Sequence, residues 1–388
     1  MKVSIKNLGQ IKKADIKIND LTIIAGGNNT GKTYITYAIY GLLEEWKKYL
    51  HLEESENFAK TLIKEGSLII PIELLNKKKT NIINKISEEF SDNIHNIFGA
   101  GENQFPNTKI SVSIEQNSPA FIDKISPVVQ FGKNIKIEAR YEKDKEVILS
   151  LITEDKKKLP PLFILSDGIT FILSYILLKS SFPSPFILSA ERQAISLFYK
   201  ELDINKDKLI EQLQKVSGER GHFDPFELIE AYSSRYALPI KDNIFFTRDI
   251  SKLKSSKSSL SFGEEILKTI KDMAGGYFKQ VDKEIHFIST ARKKGKFNIP
   301  LYLASSSARG LSDIYFYLKH KAQKGDILMI DEPESHLHPA NQIYIARLLA
   351  LCVNSGLKVF ISTHSDYIIR EFNNLIMLSN SFDGKEEF

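Results

Sequence analysis

The chain has only one cysteine and one tryptophan among its 388 residues. A single thiol cannot form a disulfide within the chain, so packing rather than cross-linking must hold the fold together. Cys352 falls in an apolar helical pattern, which indicates a buried, unreactive thiol. The first residues, 1–4, show no secretory leader. We therefore expect a cytoplasmic protein.

Long hydrophobic runs are also missing. The most apolar region, residues 162–178, is interrupted by Ser166, Asp167 and Gly168 and is too short to cross a bilayer, so we expect no membrane partner. Hydrophobic residues make up 42% of the chain and charged residues 26%, which is ordinary for a globular protein of two or three lobes. The net charge of +5 permits contact with nucleic acid without requiring it.

The chain does contain a complete phosphate-binding loop. Residues 26–33 read GGNNTGKT and match the pattern G-x-x-x-x-G-K-[ST] at every fixed position. Residues 21–25 before the loop are typical of a buried strand, and the apolar residues between 33 and 50 recur on one face of a helix. Strand, glycine loop and helix form the context in which this motif binds phosphate; the alternative is a glycine-rich turn that binds nothing.

The loop gives its residues distinct roles. Glycines allow consecutive N–H groups to converge on one anion, and the helix N-terminus adds partial positive charge. Lys32 supplies a full charge to the β- and γ-phosphates, and Thr33 offers a hydroxyl to Mg²⁺. The predicted ATP-binding residues of the loop are Gly26, Asn28, Asn29, Thr30, Gly31, Lys32 and Thr33.

A second motif, residues 326–332 (DILMIDE), combines a buried strand with two carboxylates. Asp331 falls at the carboxyl end of the strand, where parallel α/β sheets place ligands, and is predicted to hold Mg²⁺ opposite Thr33. Glu332 is predicted to orient and deprotonate the attacking water. The alternative is a pair of acidic residues that cap a helix.

A third buried strand, residues 359–363, ends at His364, which we predict to hydrogen-bond a γ-phosphate oxygen. A histidine that caps the helix of Asp366 is the alternative. Ser362, His364 and Asp366 cannot form a hydrolase triad, because neighbours on one short turn lack the required geometry.

Together these residues carry a family resemblance. The segment 332–339 (EPESHLHP) resembles the segment after the Walker B strand in soluble ATP-binding-cassette ATPases of the OLD and SMC-like kind. Residues 28–33 and 362–365 resemble the phosphate loop and switch histidine of the same group. The resemblance implies an α/β fold, namely a P-loop NTPase head of the ABC type with a mixed β-sheet, an inserted β-rich subdomain and an inserted helical subdomain.

The resemblance covers mainly the two ends of the chain, and local sequence pattern assigns the middle. We assign residues 1–50 and 284–388 to the ATPase head, and residues 51–185 to a β-rich and helical insert. Residues 186–203 form a core strand with a Q-loop-like segment, and residues 204–283 form a helical insert.

The resemblance further implies a site completed by a second head. The opposing copy would supply a serine to the γ-phosphate, and Ser306, Ser307 and Arg309 are the candidates, with a serine-rich helix N-cap as the alternative. Gln193 is the candidate for the glutamine that links the Mg²⁺ site to the other lobe, and Arg192 competes for a similar role.

A second copy would also make contact through a loop. By the same resemblance, residues 334–337 correspond to the loop that crosses the dimer interface. His336 and His338 suggest zinc only superficially, because no third and fourth ligand lie at useful spacing.

The sequence thus predicts an Mg²⁺-dependent ATPase that forms head-to-tail homodimers. OLD-like proteins commonly carry a C-terminal Toprim nuclease, and only ten residues follow Leu378 here, so we expect any nuclease or toxin effector on a separate chain; the alternative is that this sequence is part of a longer protein. The resemblance implies a bacterial anti-phage defence ATPase that controls such an effector.

Two other functions stay open. Basic clusters at residues 77–79, 156–158 and 292–296 are typical of a solvated surface but also suit DNA phosphates, so an SMC-like DNA-binding repair ATPase is the first alternative. A non-hydrolysing scaffold or transporter subunit is the second.

Overall fold

The computed structural model describes residues 1–114, 127–142, 145–154, 158–200, 236–253, 258, 260, 263–281, 284–290 and 297–379. Strands and helices alternate through these ranges, which confirms the predicted α/β class. The chain folds into two compact units. The first comprises residues 1–17, 42–94 and 106–183, and the second comprises residues 18–41, 95–105 and 184–388.

The first unit contains two antiparallel sheets. One has the order β2-β1-β5 and consists of β1 (Lys2–Leu8), β2 (Ile11–Lys17) and β5 (Lys109–Ser113). The other has the order β4-β8-β7-β6 and consists of β4 (Ser67–Pro71), β6 (Val128–Phe131), β7 (Ile135–Glu142) and β8 (Glu146–Thr153). Its helices are α2 (Ser55–Glu65), α3 (Ile72–Asp92) and α5 (Leu162–Leu178). Alternate residues of β5 are buried, as the period of a one-faced strand requires.

The second unit is organised around a parallel sheet of order β3-β14-β13-β9. Its strands are β3 (Leu21–Ala25), β9 (Pro185–Leu188), β13 (Ile327–Asp331) and β14 (Lys358–Thr363). All five residues of β13 are buried, which explains its continuous apolar sequence. Asp331 pairs with Ser362 and Thr363 pairs with Ala25, so three strands end at one edge of the sheet.

Helices and a small antiparallel sheet complete this unit. The sheet has the order β10-β11-β12 and consists of β10 (Gly276–Val281), β11 (Glu284–Ser289) and β12 (Phe297–Pro300). The helices are α6 (Leu238–Asp249), α7 (Gly263–Ala274), α8 (Ser306–His320), α9 (Pro339–Asn354) and α10 (Asp366–Ser379). Helix α1 (Lys32–Glu45) follows β3, and a single turn, α4 (Ile94–Ile97), follows α3 along the chain.

One continuous hydrophobic core joins the parallel sheet of the second unit to its helices. Leu328, Val359 and Ile361 of the sheet are completely buried, and so are Leu348 and Cys352 of α9. Burial raises the pKa of the Cys352 thiol to about 12, which agrees with the expected unreactive cysteine. The core therefore fixes the strand ends on which the predicted site residues lie.

The units group some segments differently from the sequence-based division. Residues 1–17, assigned to the ATPase head, belong to the first unit because β1 pairs with β5 of the presumed insert, for example Lys2 with Ser113. Most of the presumed helical insert 204–283 lies outside the described residues or in α6, α7 and β10. The two-insert division stays a prediction.

The most apolar region of the sequence, residues 162–178, is helix α5, and most of its residues are buried. No helix among the described residues combines the length and hydropathy that a membrane span requires.

Candidate nucleotide-binding site

The phosphate loop connects β3 to α1, as the sequence predicts. Gly31 has a φ of 90° and Asn29 a φ of 57°, which gives the loop a left-handed backbone at two positions. Gly27, Asn28, Asn29 and Thr30 are exposed, and the Thr30 hydroxyl donates to the carbonyl of Gly27 at 2.9 Å. The loop therefore keeps its conformation through its own hydrogen bonds while its outer surface stays accessible.

Lys32 stands at the start of α1 and is only 7% exposed. Its Nζ donates to the carbonyl oxygens of Gly26 at 3.0 Å and Gly27 at 2.7 Å. The ammonium group thus lies over the loop at the N-terminus of α1. An anion bound there is stabilised by the lysine charge and by the partial positive charge of the helix terminus.

Asp331 lies at the end of β13 and is almost fully buried. The hydroxyl of Ser362, on the neighbouring strand, donates to its Oδ1. Burial raises the pKa of this carboxyl and the charges of Glu332 and Glu191 act in the same direction, whereas the bonded Ser362 hydroxyl and the nearby Thr33 hydroxyl lower it. The structure thus brings the predicted metal residues Asp331 and Thr33 together.

Glu332 follows directly and has a φ of 51°, a conformation that is uncommon for a residue with a side chain. Its N–H donates to the carbonyl of Ser362 at 2.9 Å, and its Oε2 accepts from the Ser335 hydroxyl at 3.0 Å. The side chain is 32% exposed, so the carboxylate reaches solvent at the sheet edge. A partly exposed carboxylate beside a buried one suits a general base beside a metal ligand.

His364 lies beside two carboxylates. Its Nδ1 is 3.8 Å from Oε1 of Glu332 and 3.2 Å from Oε1 of Glu334. The same Glu334 oxygen accepts from the His364 N–H and from the Thr363 hydroxyl, both at 2.7 Å. An Nδ1–H donated to Glu334 leaves Nε2 of the imidazole free to face a ligand.

Glu334 is only 4% exposed and packs against β14 within the same chain. The sequence assigned residues 334–337 to a loop that crosses a dimer interface. The structure instead turns the first of these side chains inward, because the ends of β14 offer it two buried donors.

Gln193 and Arg192 both lie close to the end of β13 but make different contacts. Gln193 Nε2 donates to the carbonyl of Ser335 at 3.4 Å, and Gly310 approaches the same side chain closely. Arg192 donates to the carbonyls of Asp331 at 3.0 Å and Glu332 at 2.8 Å. Of the two candidates, Arg192 is therefore the residue that contacts the strand end itself.

The serine-rich segment forms the start of α8. Ser305 is the N-cap, since its hydroxyl accepts from the N–H of Ala308 at 3.3 Å. The guanidinium of Arg309 turns back to the carbonyl of Ala304 at 2.5 Å and to the Ser306 hydroxyl at 3.2 Å. Ser307 lies 3.1 Å from the Ser305 hydroxyl. These contacts stay within one turn, so the structure does not join the segment to the phosphate loop of its own chain.

The strand end fits a magnesium ion. Asp331 Oδ2 is buried and has no hydrogen bond of normal geometry among the described residues, so it is free to bind a cation. Mg²⁺ needs only one or two protein oxygens when phosphates and water fill its remaining positions. In the described ranges, no three His, Cys, Asp or Glu side chains are placed to hold a metal together. His338 instead caps α9, its Nδ1 accepting from Ala340 N–H at 3.3 Å.

Three contributors to the site were missed or given other roles by sequence reasoning. The sequence shows only that Ser362 lies in a strand. Its hydrogen bond to Asp331 depends on the register of β13 and β14, which the sequence does not give. Glu334 was assigned to an interface. Arg192 had a weak signal, because an arginine directly after a buried strand stands at the ligand edge of the sheet.

Only part of the basic sequence can be placed. Lys78 lies on α3 and pairs with Glu54, and burial lowers the pKa of the neighbouring Lys79. Residues 156–157 and 292–296 lie outside the described residues. Of the three clusters, the described part of the chain therefore includes only residues 77–79 and 158.

Solved structures with some similarity to the chain are heads of SMC proteins. A structure described as the SmcHead bound to the C-winged helix domain of ScpA is 16% identical, with a TM-score of 0.40, over 95% of this chain and 91% of that chain. The SMC head domain from Thermotoga maritima is 14% identical, with a TM-score of 0.33, over 95% and 90% of the two chains. These likenesses are too distant to carry an argument about function.

Sequence comparison gives a firmer result. No functionally curated protein is significantly similar to the chain. However, the family profile described as an AAA ATPase domain matches residues 1–369, which take in the phosphate loop, both carboxylates after β13 and His364. A match over almost the whole length decides the family, and the chain belongs to the AAA ATPase domain family.

Proposed function

We propose that the protein binds ATP with Mg²⁺ and hydrolyses it to ADP and phosphate. The observation that carries the proposal is the meeting of Thr33 with Asp331, and of Glu332 with His364, at one edge of the parallel sheet. The triphosphate lies along the loop 26–33, where Lys32 and the N-terminus of α1 attract it. Thr33 and Asp331 would hold Mg²⁺, which neutralises charge on the phosphates when it is bound.

The remaining side chains perform the proton chemistry. Glu332 accepts a proton from the attacking water, and its partial exposure gives it access to that water. His364 donates from Nε2–H to a γ-phosphate oxygen and from Nδ1–H to Glu334, so both ring nitrogens carry a proton when the histidine holds the ligand. The buried Glu334 thereby acts on the ligand only through the imidazole.

We further propose that the active form is a head-to-tail homodimer and that it regulates a separate effector in anti-phage defence. What supports the dimer is the placement of Ser306, Ser307 and Arg309, which are bound within their own turn of α8 and lie at an accessible helix N-terminus. What supports the regulatory role is the resemblance of residues 332–339 to OLD-like ATPases. Mass measurement of the complex purified with its neighbouring gene product tests this role.

Steady-state ATP hydrolysis with Mg²⁺ and equilibrium binding of a fluorescent ATP analogue test the catalytic proposal. Lys32→Ala should lose both binding and hydrolysis, whereas Glu332→Gln should keep ATP binding and lose about 100-fold or more in kcat. Lys268→Ala and Glu264→Gln are matched controls, because both side chains lie exposed on α7 and should leave the protein as active as wild type. A Glu332→Gln variant with the wild-type rate would exclude the proposed general base.

A further inference from the structure

Arg192 is a buried cation beside the proposed catalytic centre. It follows β9 at the start of the helical residues 192–200 and is only 4% exposed. An arginine is almost never buried unless its donors find partners. Its contacts therefore show what the position requires.

The guanidinium donates to three backbone carbonyls. One terminal nitrogen (Nη1) reaches the oxygens of Ser189 at 3.1 Å and Asp331 at 3.0 Å, and the other (Nη2) reaches the oxygen of Glu332 at 2.8 Å. Arg192 thus joins the chain after β9 to the two peptide groups that end β13. A lysine cannot reproduce this fork, because its single nitrogen cannot reach carbonyls in the fixed directions that a planar guanidinium serves.

The peptide that Arg192 holds is the one with an unusual backbone. Glu332 has a φ of 51°, a left-handed conformation that costs a residue with a side chain on the order of 1 kcal/mol or more. Its N–H is held by Ser362, and its carbonyl accepts from both Ser335 N–H at 3.0 Å and Arg192. Since the direction of the Glu332 side chain depends on this φ, the bonds to the peptide determine where the carboxylate points.

The charge of Arg192 is matched to its surroundings. Burial lowers the pKa of its guanidinium, and the negative charges of Asp331, Glu334, Glu332 and Asp313 oppose that effect. Four acidic side chains therefore favour a cation at this place, and the arginine in turn reduces repulsion among them. Arg192 contacts the backbone of the strand end and is not itself aimed at a ligand.

We propose that Arg192 is a positioning residue that holds the Asp331–Glu332 backbone so that the Glu332 carboxylate faces the attacking water. The proposal rests on the proposed ATPase function. Arg192 acts through Glu332, so its loss lowers the rate of the chemical step and leaves ATP binding by the loop 26–33 intact.

Single-turnover ATP hydrolysis and ATP-analogue binding by Arg192→Lys test this role. We expect the single-turnover rate constant to fall about 10- to 100-fold, because the general base is displaced, while the Kd for the analogue changes less than about twofold. Arg347→Lys is the matched control, because Arg347 pairs with Glu371 at 2.6 Å on the surface of α9 and is expected to keep full activity.

A double variant separates positioning from general damage. Because Arg192 works through Glu332, adding Arg192→Lys to Glu332→Gln should slow hydrolysis no further than Glu332→Gln alone. Independent losses that multiply would overturn the proposal, and so would an Arg192→Lys variant with the wild-type rate. An Arg192→Lys variant that loses ATP binding together with its fold would also overturn it, since the arginine would then be purely structural.

Chemical rescue gives a second measurement. Arg192→Ala leaves a space of the shape of a guanidinium, and millimolar guanidinium should restore part of kcat in this variant but none in Arg347→Ala. Absence of rescue in a folded, ATP-binding Arg192→Ala protein would count against the proposal. A wild-type protein that hydrolyses no ATP would instead remove the proposed function itself, which distinguishes the two failures.

Discussion

Four carboxyl groups that interact with Arg192 have four different environments. Asp331 is buried with one oxygen lacking a hydrogen bond among the described residues, Glu332 is partly exposed, and Glu334 is buried against the donors of β14. Asp313, on α8, is buried away from them and accepts from the hydroxyls of Thr247 at 2.9 Å and Ser312 at 3.2 Å. Environment rather than residue type therefore separates the proposed metal ligand, the proposed base, the histidine partner and a structural acid.

Asp313 gives a pH-dependent prediction. Burial raises the pKa of its carboxyl from 3.8 to about 6, against the lowering effects of Thr247, Ser312 and Arg192. Between these two values the folded protein binds a proton that the unfolded chain has lost, so stability falls as pH rises from about 4 to about 6. The pKa difference corresponds to a loss of about 3 kcal/mol that is complete above the folded value.

Urea unfolding of wild type and Asp313→Asn across pH 4 to 7 measures this effect. The free energy of unfolding of the variant should gain on that of wild type as pH rises, by about 3 kcal/mol in total. Asp15→Asn is the control, because Asp15 is an exposed carboxyl whose pKa is lowered by Ser4 and Lys13. A difference between wild type and Asp313→Asn that does not change with pH would show that Asp313 stays ionised when buried.

At the scale of helices and strands, the elements that could be predicted are those with a strong local pattern of apolar residues. Strands β13 and β14 are apolar on both faces and were predicted from their sequence, and so were β3, the phosphate loop and α1. The β10–β11–β12 sheet was not identified, because residues 204–283 were assigned as a whole to a helical insert, although Gly275 and Gly276 mark a turn at the start of β10. The left-handed backbone of Glu332 was not predicted either, because the hydrogen bonds to its peptide come from residues distant in the sequence, such as Arg192 and Ser362.

The β10–β11 pair gives a prediction at this scale. A Cβ added to Gly276 would lie 2.4 Å from the backbone carbonyl of Ile288, its near neighbour across the pair. Backbone cannot move aside as a side chain can, so Gly276→Ala should destabilise the protein by about 1–3 kcal/mol.

The chain offers a glycine with the opposite expectation. Gly263 starts α7, and an added Cβ would meet nothing within 4 Å. Gly263→Ala should therefore be neutral or stabilise the helix by up to about 1 kcal/mol. The midpoint of urea unfolding measures both changes, and equal midpoints for the two variants would contradict the steric argument.

At the scale of the whole molecule, the pairing of strands that are far apart in the sequence could not be predicted. The hairpin of β1 and β2 joins neighbouring segments, but the addition of β5 joins residues more than a hundred positions apart, such as Lys2 and Ser113. The alternation of apolar and polar residues in 110–114 is typical of a strand but does not indicate which strand it pairs with. The structure therefore groups the N-terminal strands with β5, whereas the strand ends that carry Asp331 and His364 meet at one edge of the parallel sheet.

The proposed dimer can be tested with two inactive proteins. If one copy supplies the loop 26–33 and the other supplies α8, then Lys32→Ala damages one half of each site and Ser306→Ala/Ser307→Ala damages the other half. Mixing the two in equal amounts places one intact loop opposite one intact α8 in each heterodimer, and about a quarter of wild-type hydrolysis should return if both sites act independently. A mixture as inactive as its components, or a serine variant as active as wild type, would show that each copy hydrolyses ATP without α8 of its partner.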